Sequence, residues 1–314
     1  MTPQLSAYLT LCLAFGAAGL ASGQPAQSLD AARIHVEPVQ RNIYLLASVG
    51  SNGGNITVQV GNEGVLMVDT GLAAATPAIM AEVRKLSNGR VRYIVNTHLH
   101  TDHVGGNAAI AKLIGDDPAQ PLKIIAHENV LNRLTARVPG QPPFPEEGLP
   151  LDEYATAMKN LHFNGEAVVI YHEPNAHTDG DSLVLFRGSD VISAGDIFTP
   201  GAYPFIDVER GGSVQGEIAA LNHILQLAVP AKTQEGGTYV VPGHGRICDE
   251  ADVVEYRDMV VIVRDRIRDM VAKGMTLEQT KAAKPTRDYD TAYVSAGSFV
   301  TADRFVESIF RTLR

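Results

Sequence analysis

The order of its strand-like and helix-like segments constrains the fold of this chain of 314 residues more than any other feature. Short apolar runs bounded by Gly and Asn come first, segments with helical spacing follow, and both kinds recur in a similar order in the second half. Because a sheet must bury an apolar face, two such halves can pack sheet against sheet and keep their helices outside. The sequence therefore predicts an α+β fold of two sheets with helices on both outer faces.

Predicted strands and helices occur in both halves. In the first half, strands are predicted at residues 42–47, 55–60, 64–69, 91–97 and 123–127, and helices at 76–86, 104–113 and 128–136. In the second half, strands are predicted at 167–171, 182–186, 191–194 and 238–241, and helices at 214–228, 250–273 and 302–313. Between the halves, residues 138–150 carry five prolines, which forbid regular structure. This segment is either a plain surface connection or a lid over a site.

The N-terminal segment has the pattern of a signal peptide. Residues 5–20 are apolar and uncharged, and Ala21-Ser22-Gly23 offers the small residues that signal peptidase prefers. We expect cleavage after residue 23, a periplasmic or secreted protein, and a domain over residues 24–314 that ends in a helical extension, 250–314. An uncleaved N-terminal anchor is the alternative, because no Lys or Arg precedes the apolar stretch.

Charge and cysteine content narrow the classes of protein. The net charge of −9 and the pI near 5.6 argue against a nucleic-acid partner, which normally requires a basic surface. Of the two cysteines only Cys248 would remain after cleavage, so no internal disulfide can form. We expect no membrane contact after cleavage, and the sequence gives no oligomeric state.

The densest set of chemically active residues is His98-Leu-His100-Thr-Asp102-His103, directly after a predicted buried strand. Alternate side chains of an extended backbone share a face, so His98 and His100 can point the same way. A loop beyond the strand can turn Asp102 and His103 toward a neighbouring point. Imidazoles with a carboxylate are ligands that zinc prefers. This motif indicates a metal site.

Three later segments offer further ligands, each where a predicted strand gives way to a loop that contains glycine. The candidate ligands there are His177, Asp196 and His244. Ligands at strand ends are rigidly placed, and glycine lets the backbone pass close to an ion.

In order and spacing these motifs resemble those of the metallo-β-lactamase superfamily, specifically its exported β-lactamase-like members. The segment Val68-Asp69-Thr70-Gly71 resembles the first motif of that family, and the resemblance spans about residues 42–247. It implies an αβ/βα four-layer sandwich of two mixed sheets. It also implies one metal on His98, His100 and His177, a second on Asp102, His103 and His244, and Asp196 as a bridge.

The chemistry of such a pair of metals fits a hydrolase. Two cations can lower the pKa of a shared water and polarise a carbonyl or phosphoryl oxygen. We expect two zinc ions, with iron or manganese as alternatives, because His and Asp ligands select weakly among these metals. Asp102 is the expected proton acceptor. Tyr203 either stabilises an oxyanion or packs in the core.

Three other aspartates are candidates for orienting the imidazoles. Asp69, Asp179 and Asp181 lie close to the motifs in sequence. Their alternative role is to form turns or caps, which aspartate favours.

The substrate is less constrained than the metal site. We expect an exported binuclear zinc hydrolase that opens an amide or ester of a small molecule, such as a β-lactam or lactone. A phosphoesterase is the alternative, with Arg210 and Arg187 as the nearest cations in sequence. An iron-dependent oxidoreductase of the same superfamily and a non-catalytic metal-binding module are further alternatives. His100 argues against the diiron reductases, which generally carry Glu at that position.

Overall fold

A computed structural model describes residues 33–49, 53–234, 236–295 and 298–313. The predicted signal peptide, residues 1–23, lies outside these residues. Among the described residues, no helix combines the length and the apolar character that crossing a membrane requires.

Two mixed sheets form the centre of the fold. The first has the strand order β1-β2-β3-β4-β5-β6, and the second has the order β11-β10-β9-β8-β7. In the first sheet, β4, β5 and β6 are parallel, and in the second β10 and β11 are parallel, whereas the other neighbours are antiparallel. The strands are β1 (Arg33–Gln40), β2 (Ile43–Val49), β3 (Ile56–Gly61), β4 (Gly64–Val68), β5 (Val91–Val95), β6 (Lys123–Ile125), β7 (Met158–Phe163), β8 (Glu166–Glu173), β9 (Asp181–Phe186), β10 (Val191–Gly195) and β11 (Tyr239–Pro242).

Helices cover the outer faces of both sheets. Ile79 and Ile110 of α1 and α3 pack on the first sheet, and Ile224, Val260 and Phe305 of α5, α6 and α9 pack on the second. The helices are α1 (Thr76–Leu86), α2 (Thr101–Val104), α3 (Asn107–Ile114), α4 (Glu128–Thr135), α5 (Val214–Leu227), α6 (Glu250–Ala272), α7 (Leu277–Ala282), α8 (Asp290–Tyr293) and α9 (Ala302–Thr312).

The two sheets bury their inner faces against each other. Leu45 and Val68 of the first sheet lie in one cluster with Val184 and Phe186 of the second. Burial of such side chains contributes roughly 1.5–3 kcal/mol each to folding. The predicted α+β sandwich of two mixed sheets with helices on both outer faces is confirmed.

Two strands were not predicted, and both lie at sheet edges. β1 is the edge of the first sheet and β7 is the edge of the second. Both carry polar or exposed side chains along much of their length. Each pairs with only one neighbouring strand, and other elements cover only part of one face. An edge strand therefore lacks the apolar run by which an inner strand is recognised.

The predicted helix over residues 104–113 is wrong at its start. α2 ends at Val104, and α3 begins only at Asn107, with Gly105 and Gly106 between them. A Cβ atom on Gly106 would lie 2.4 Å from the carbonyl oxygen of Thr70. The chain passes so close to the first sheet here that two glycines separate the helices.

The proline-rich segment contains only a short 3₁₀ turn, Glu146–Gly148. The carbonyl of Gly148 accepts a hydrogen bond from the Asn107 side chain of α3, 2.9 Å away. This end of the segment is thus anchored to a helix, and the choice between connection and lid stays open for the rest.

Candidate metal centre

All seven predicted ligands lie along one edge of the sandwich. His98 and His100 follow β5, and Asp102 and His103 are in α2. His177 lies between β8 and β9, and Asp196 and His244 follow β10 and β11. The two sheets are joined at this edge by the Ser182 amide, which donates to the Thr97 carbonyl at 2.8 Å.

The side chains form two groups. The first cluster contains His98, His100, His177 and Asp196, and the second contains Asp102, His103 and His244. Within each cluster the potential ligand atoms lie within 4.8 Å of one another. Each cluster takes residues from both halves of the chain, before and after the proline-rich segment.

Asp196 faces both clusters. Its Oδ2 lies 3.8 Å from Nε2 of His98 and 3.8 Å from Nε2 of His177. Its Oδ1 lies 3.2 Å from Nε2 of His103 and 3.5 Å from Nε2 of His244. One carboxylate oxygen is therefore directed at each cluster, as a bridging ligand requires.

Asp69 orients histidines of both clusters. Its Oδ2 accepts hydrogen bonds from Nδ1 of His103, at 2.8 Å, and from the hydroxyl of Thr97, at 2.7 Å. The same hydroxyl lies 3.0 Å from Nδ1 of His98, so it accepts the proton of that nitrogen. Both imidazoles consequently present Nε2 to their clusters. This outcome agrees with the orienting role considered for Asp69.

The other two imidazoles of the first cluster are held by groups that the sequence motifs do not indicate. Nε2 of His100 donates to Asp207, 3.0 Å away, and Nδ1 of His177 donates to the carbonyl of Phe205. Asp207 is 107 residues away from His100, and a backbone carbonyl has no sequence signature. Motif spacing could not have identified either.

Several ligand atoms lack the partners that buried polar atoms require. Nε2 of His98, Nε2 of His103 and Oδ1 of Asp196 are buried and form no hydrogen bond among the described residues. Nδ1 of His100 and Nε2 of His177 face each other at 2.9 Å, although the proton of each ring is on its other nitrogen. Lone pairs that face each other, as those of His100 and His177 do, are costly when buried, and a cation satisfies them. The residues fit a metal centre.

The first cluster contains histidines that resist protonation. Burial lowers the pKa of His98 well below its usual range, and the neighbouring charge of His103 lowers it further. Burial also lowers the pKa of His177 to about 4. Because only the neutral imidazole can bind a metal, both side chains are ready as ligands at neutral pH.

In the second cluster and at the shared carboxylate, the surroundings favour the charged form of the side chains. Burial opposes the charge of His103, but Asp196 and Asp69 outweigh it and raise its pKa well above the usual value. Burial would raise the pKa of Asp196, yet the charge of His103 lowers it well below its usual range. This cluster therefore favours positive charge, which a metal ion supplies when it displaces protons.

Two glycines permit this packing. A Cβ atom on Gly243 would lie 2.0 Å from Oδ1 of Asp196, and one on Gly54 would lie 2.6 Å from Cε1 of His103. Cβ atoms are essentially never found at such short distances from other atoms. Only glycine therefore allows the loop after β11 and the segment before β3 to lie this close to the ligands.

Tyr203 does not have the proposed oxyanion role. Its side chain is 1% exposed, and its hydroxyl donates to Oδ1 of Asp290 at 2.8 Å. The ring stacks on Tyr293 and Phe305 in the core beneath α9. The alternative, packing with one bonded hydroxyl, is the correct one.

Asp179 and Asp181 orient no ligand histidine through their carboxylates. Asp179 pairs with Arg133 at 2.5 Å, and Asp181 accepts from the amide and hydroxyl of Thr178. The turn role considered for Asp181 is thus the observed one, and it fixes the backbone directly after His177.

The two arginines considered for phosphate binding are not free at the site. The guanidinium of Arg210 pairs with Asp207 at 2.9 Å, beside His100. Arg187 follows the far end of β9, opposite the ligands. Neither offers an uncommitted cation to the metal clusters.

The residues that form this site lie in a segment that matches a known protein family. Residues 49–244 match the sequence profile of the metallo-beta-lactamase superfamily, which is more than half of the chain. The chain belongs to the metallo-beta-lactamase superfamily. With its histidine-rich clusters intact, it is a metal-dependent hydrolase of that superfamily.

Individual members are distant. A Caenorhabditis elegans protein named beta-lactamase-like protein 2 homolog is 26% identical over 234 residues, 71% of this chain and 68% of that protein. A metallo-beta-lactamase type 2 of Bacillus sp. (strain 170) is 22% identical over 233 residues, 72% of this chain and 82% of that protein.

A solved structure shares the fold over a longer stretch of this chain. The inverting sec-alkylsulfatase Pisa1 from Pseudomonas sp. superposes with a TM-score of 0.65 at 15% identity. The match covers 88% of this chain and 50% of that enzyme, so this chain spans about half of its length.

Proposed function

We propose that the protein is an exported binuclear zinc hydrolase that opens an amide or ester bond in a small molecule, of the β-lactam or lactone type. The observation that carries this proposal is the carboxylate of Asp196, which directs one oxygen at each of two ligand clusters. A single metal would need only one of these oxygens.

The proposed ligand assignment follows the two clusters. The first metal would be bound by three imidazoles, and the second by two imidazoles and one carboxylate, with a shared carboxylate between them. The first set is His98, His100 and His177, the second is Asp102, His103 and His244, and Asp196 is shared. When bound, two divalent cations would supply an activated water and a polarised carbonyl oxygen.

Asp102 is the proposed proton acceptor. Its Oδ2 lies 3.1 Å from Nε2 of His244 and 3.5 Å from Nε2 of His103, and the side chain is 27% exposed at the open side of the clusters. Burial alone would raise its pKa, but the hydrogen bond with His244 and the charge of His103 lower it. Asp102 is therefore ionised at neutral pH and accessible to an attacking water.

Zinc is the proposed metal because five of the seven ligands are imidazoles and none is a thiolate or carbonyl. Iron and manganese remain the alternatives for the same ligand set. Amide or ester opening is favoured over phosphate ester hydrolysis because Arg210 is paired with Asp207. The similarity to a protein named metallo-beta-lactamase type 2 supports the β-lactam class.

The proposal that the protein is exported rests on its sequence alone. The apolar segment 5–20 and the small residues at 21–23 support a cleaved signal peptide and a periplasmic or secreted protein. Mass spectrometry of the protein recovered from the producing cells tests this, since cleavage predicts an N-terminus at residue 24.

The catalytic proposal is tested by turnover of a chromogenic β-lactam and of a simple aryl lactone by zinc-loaded and chelator-treated protein. We expect zinc-dependent turnover of one class with kcat/KM in the ordinary enzyme range of about 10⁴–10⁸ M⁻¹s⁻¹. We expect Asp102→Asn to lower kcat by about 10²–10⁴-fold, the usual contribution of a general base.

The matched control for this variant is Asp152→Asn, since Asp152 pairs with Lys159 and makes no contact with the clusters. Turnover of neither substrate class by protein that carries two zinc ions would refute the amide or ester proposal. An Asp102→Asn variant with the rate of the wild type would refute the proton-acceptor role.

A further inference from the structure

A cavity of about 250 Å³ lies beside the metal clusters, between the segment after β10 and the C-terminal helix α9. Phe205, Asp207 and Arg210 line one wall, and Arg304, Glu307 and Arg311 line the other. The second wall lies beyond the segment that matches the superfamily profile, residues 49–244.

The cavity is connected to the first cluster through one aromatic ring. Phe205 stacks on His100 with 5.7 Å between ring centroids, and it lies edge-on to His177 at 5.5 Å. The guanidinium of Arg304 lies 4.6 Å from the centroid of the same ring. Arg304 and two proposed metal ligands thus contact the same phenylalanine ring.

Arg304 is fixed in position by aromatic contacts. Its guanidinium also lies 4.1 Å from the ring of Phe299, and it donates to the Phe299 carbonyl at 3.3 Å. Phe299 is 67% exposed, which is unusual for a large apolar side chain. Cation–π contacts of this kind hold a guanidinium in place without neutralising its charge.

Among the described residues around the cavity, the positive charge of Arg304 has no carboxylate partner. Each carboxylate in the cavity wall is paired with another cation: Asp207 with Arg210, Glu209 with Arg311, and Glu307 with Lys281. Among the described residues, Arg304 forms no ion pair. Its planar donors remain available for an oxyanion.

We propose that Phe205, Phe299 and Arg304 form a substrate subsite that binds an organic monoanion, a carboxylate or a sulfate, carried on an apolar body. This proposal rests on the proposed function, because it places the bond to be cleaved at the metal clusters and the anion at Arg304. The apolar part of the substrate lies against the two phenylalanine rings. Arg304 selects the substrate and takes no part in the chemistry.

The test measures binding, so that it does not depend on finding the substrate. Dissociation constants of phenylacetate, benzylsulfonate and the neutral phenylacetamide are measured by ligand-observed NMR on the zinc-loaded protein and its variants. None of the variants changes a proposed metal ligand, so the difference between Arg304→Gln and the wild type reports on Arg304.

We expect Arg304→Gln to weaken the binding of at least one anion about tenfold, the effect of losing one charge-assisted hydrogen bond. We expect no change for phenylacetamide. Phe299→Ala should weaken both the anions and the amide, because it removes the apolar wall. The control Arg187→Gln removes the same charge at the far end of β9 and should bind every probe as the wild type does.

The proposal is overturned if the wild type binds neither anion better than the amide. It is also overturned if Arg304→Gln binds the anions unchanged, or loses anions and amide equally. Retained Arg304-dependent binding without turnover of lactam or lactone would refute the proposed reaction and leave the subsite standing. The anion that is affected more identifies the head group.

Discussion

At the scale of single residues, Asp69 has the widest influence on the metal centre. One buried carboxylate fixes His103 directly and His98 through the hydroxyl of Thr97. Its backbone has a φ of +64°, in the left-handed region that side chains other than glycine rarely adopt. The surrounding structure holds this conformation, which places both carboxylate oxygens against the strand that ends at the ligands.

We predict that Asp69→Asn weakens metal binding at both clusters together. Oδ1 of Asp69 accepts from the Thr97 amide, and Oδ2 accepts from the Thr97 hydroxyl and from Nδ1 of His103. An Asn side chain must turn its NH₂ group toward one of these two sets of donors, so the segment that carries both histidines loses its anchor. Loss of such an orienting partner typically costs 10–100-fold in metal affinity. Competition with a chromogenic chelator measures both affinities.

The matched control is Glu166→Gln, which changes a carboxylate that bonds to Gln59, Gly188 and Ser189 at the end of β8 far from the ligands. A variant of Asp69 that loses only one of the two metals, or neither, would contradict the shared role.

At the scale of elements, an ion pair joins helix α5 to the end of strand β8. His223 of α5 lies 2.5 Å from Glu173, whose side chain is buried. The hydrogen bond to Glu173 raises the pKa of His223, and this effect is larger than the lowering caused by partial burial. The pair therefore stabilises the fold at pH values below about 6.5, the ordinary pKa of histidine, and this contribution is lost as the pH rises through the raised pKa.

We predict that His223→Gln lowers Tm more at pH 6 than at pH 8.5. At pH 6 the variant loses a charged partner for Glu173, whereas the wild type itself loses that charge as the pH rises through the raised pKa of His223. A difference of about 2–4 °C between the two pH values corresponds to about 1 kcal/mol in a domain of this size. Differential scanning fluorimetry at both values measures it, and an equal loss at both would exclude the ion pair as its cause.

The inner strands and the ligand-bearing strand ends could be predicted from the sequence because their signals are local. An apolar run with glycine beyond it, as at β10 and β11, requires no knowledge of the rest of the chain. The edge strands β1 and β7 and the break at Gly105 depend on what packs against them. The same holds for Asp207, the Phe205 carbonyl and Arg304, which reach the site only through the folded structure.

At the scale of the whole molecule, the metal centre holds the sandwich together at one edge. The first sheet supplies His98 and His100, and the second supplies His177 and Asp196 to the same cluster. Without a cation, buried lone pairs converge on one another, which opposes the packing of the sheets. A metal that binds only the folded chain adds its binding free energy to stability.

We predict that removal of metal lowers the Tm of the wild type by about 10 °C. Saturation at about a thousand times the dissociation constant contributes about 4 kcal/mol, and each kcal/mol shifts the Tm of a domain of this size by about 2–4 °C. Calorimetry before and after treatment with a chelator measures the shift, and added zinc should reverse it. An unchanged Tm after verified removal of metal would show that the clusters do not link the sheets.

The division of ligands between the two halves of the chain has a consequence for a protein cut in two. A break within residues 138–150 would give one fragment with His98, His100, Asp102 and His103, and another with His177, Asp196 and His244. Neither fragment alone holds a complete set for either metal. Reassembly of the pair would therefore be driven by the metal ion as well as by the apolar sheet faces, and adding or removing that ion would control whether the two fragments associate.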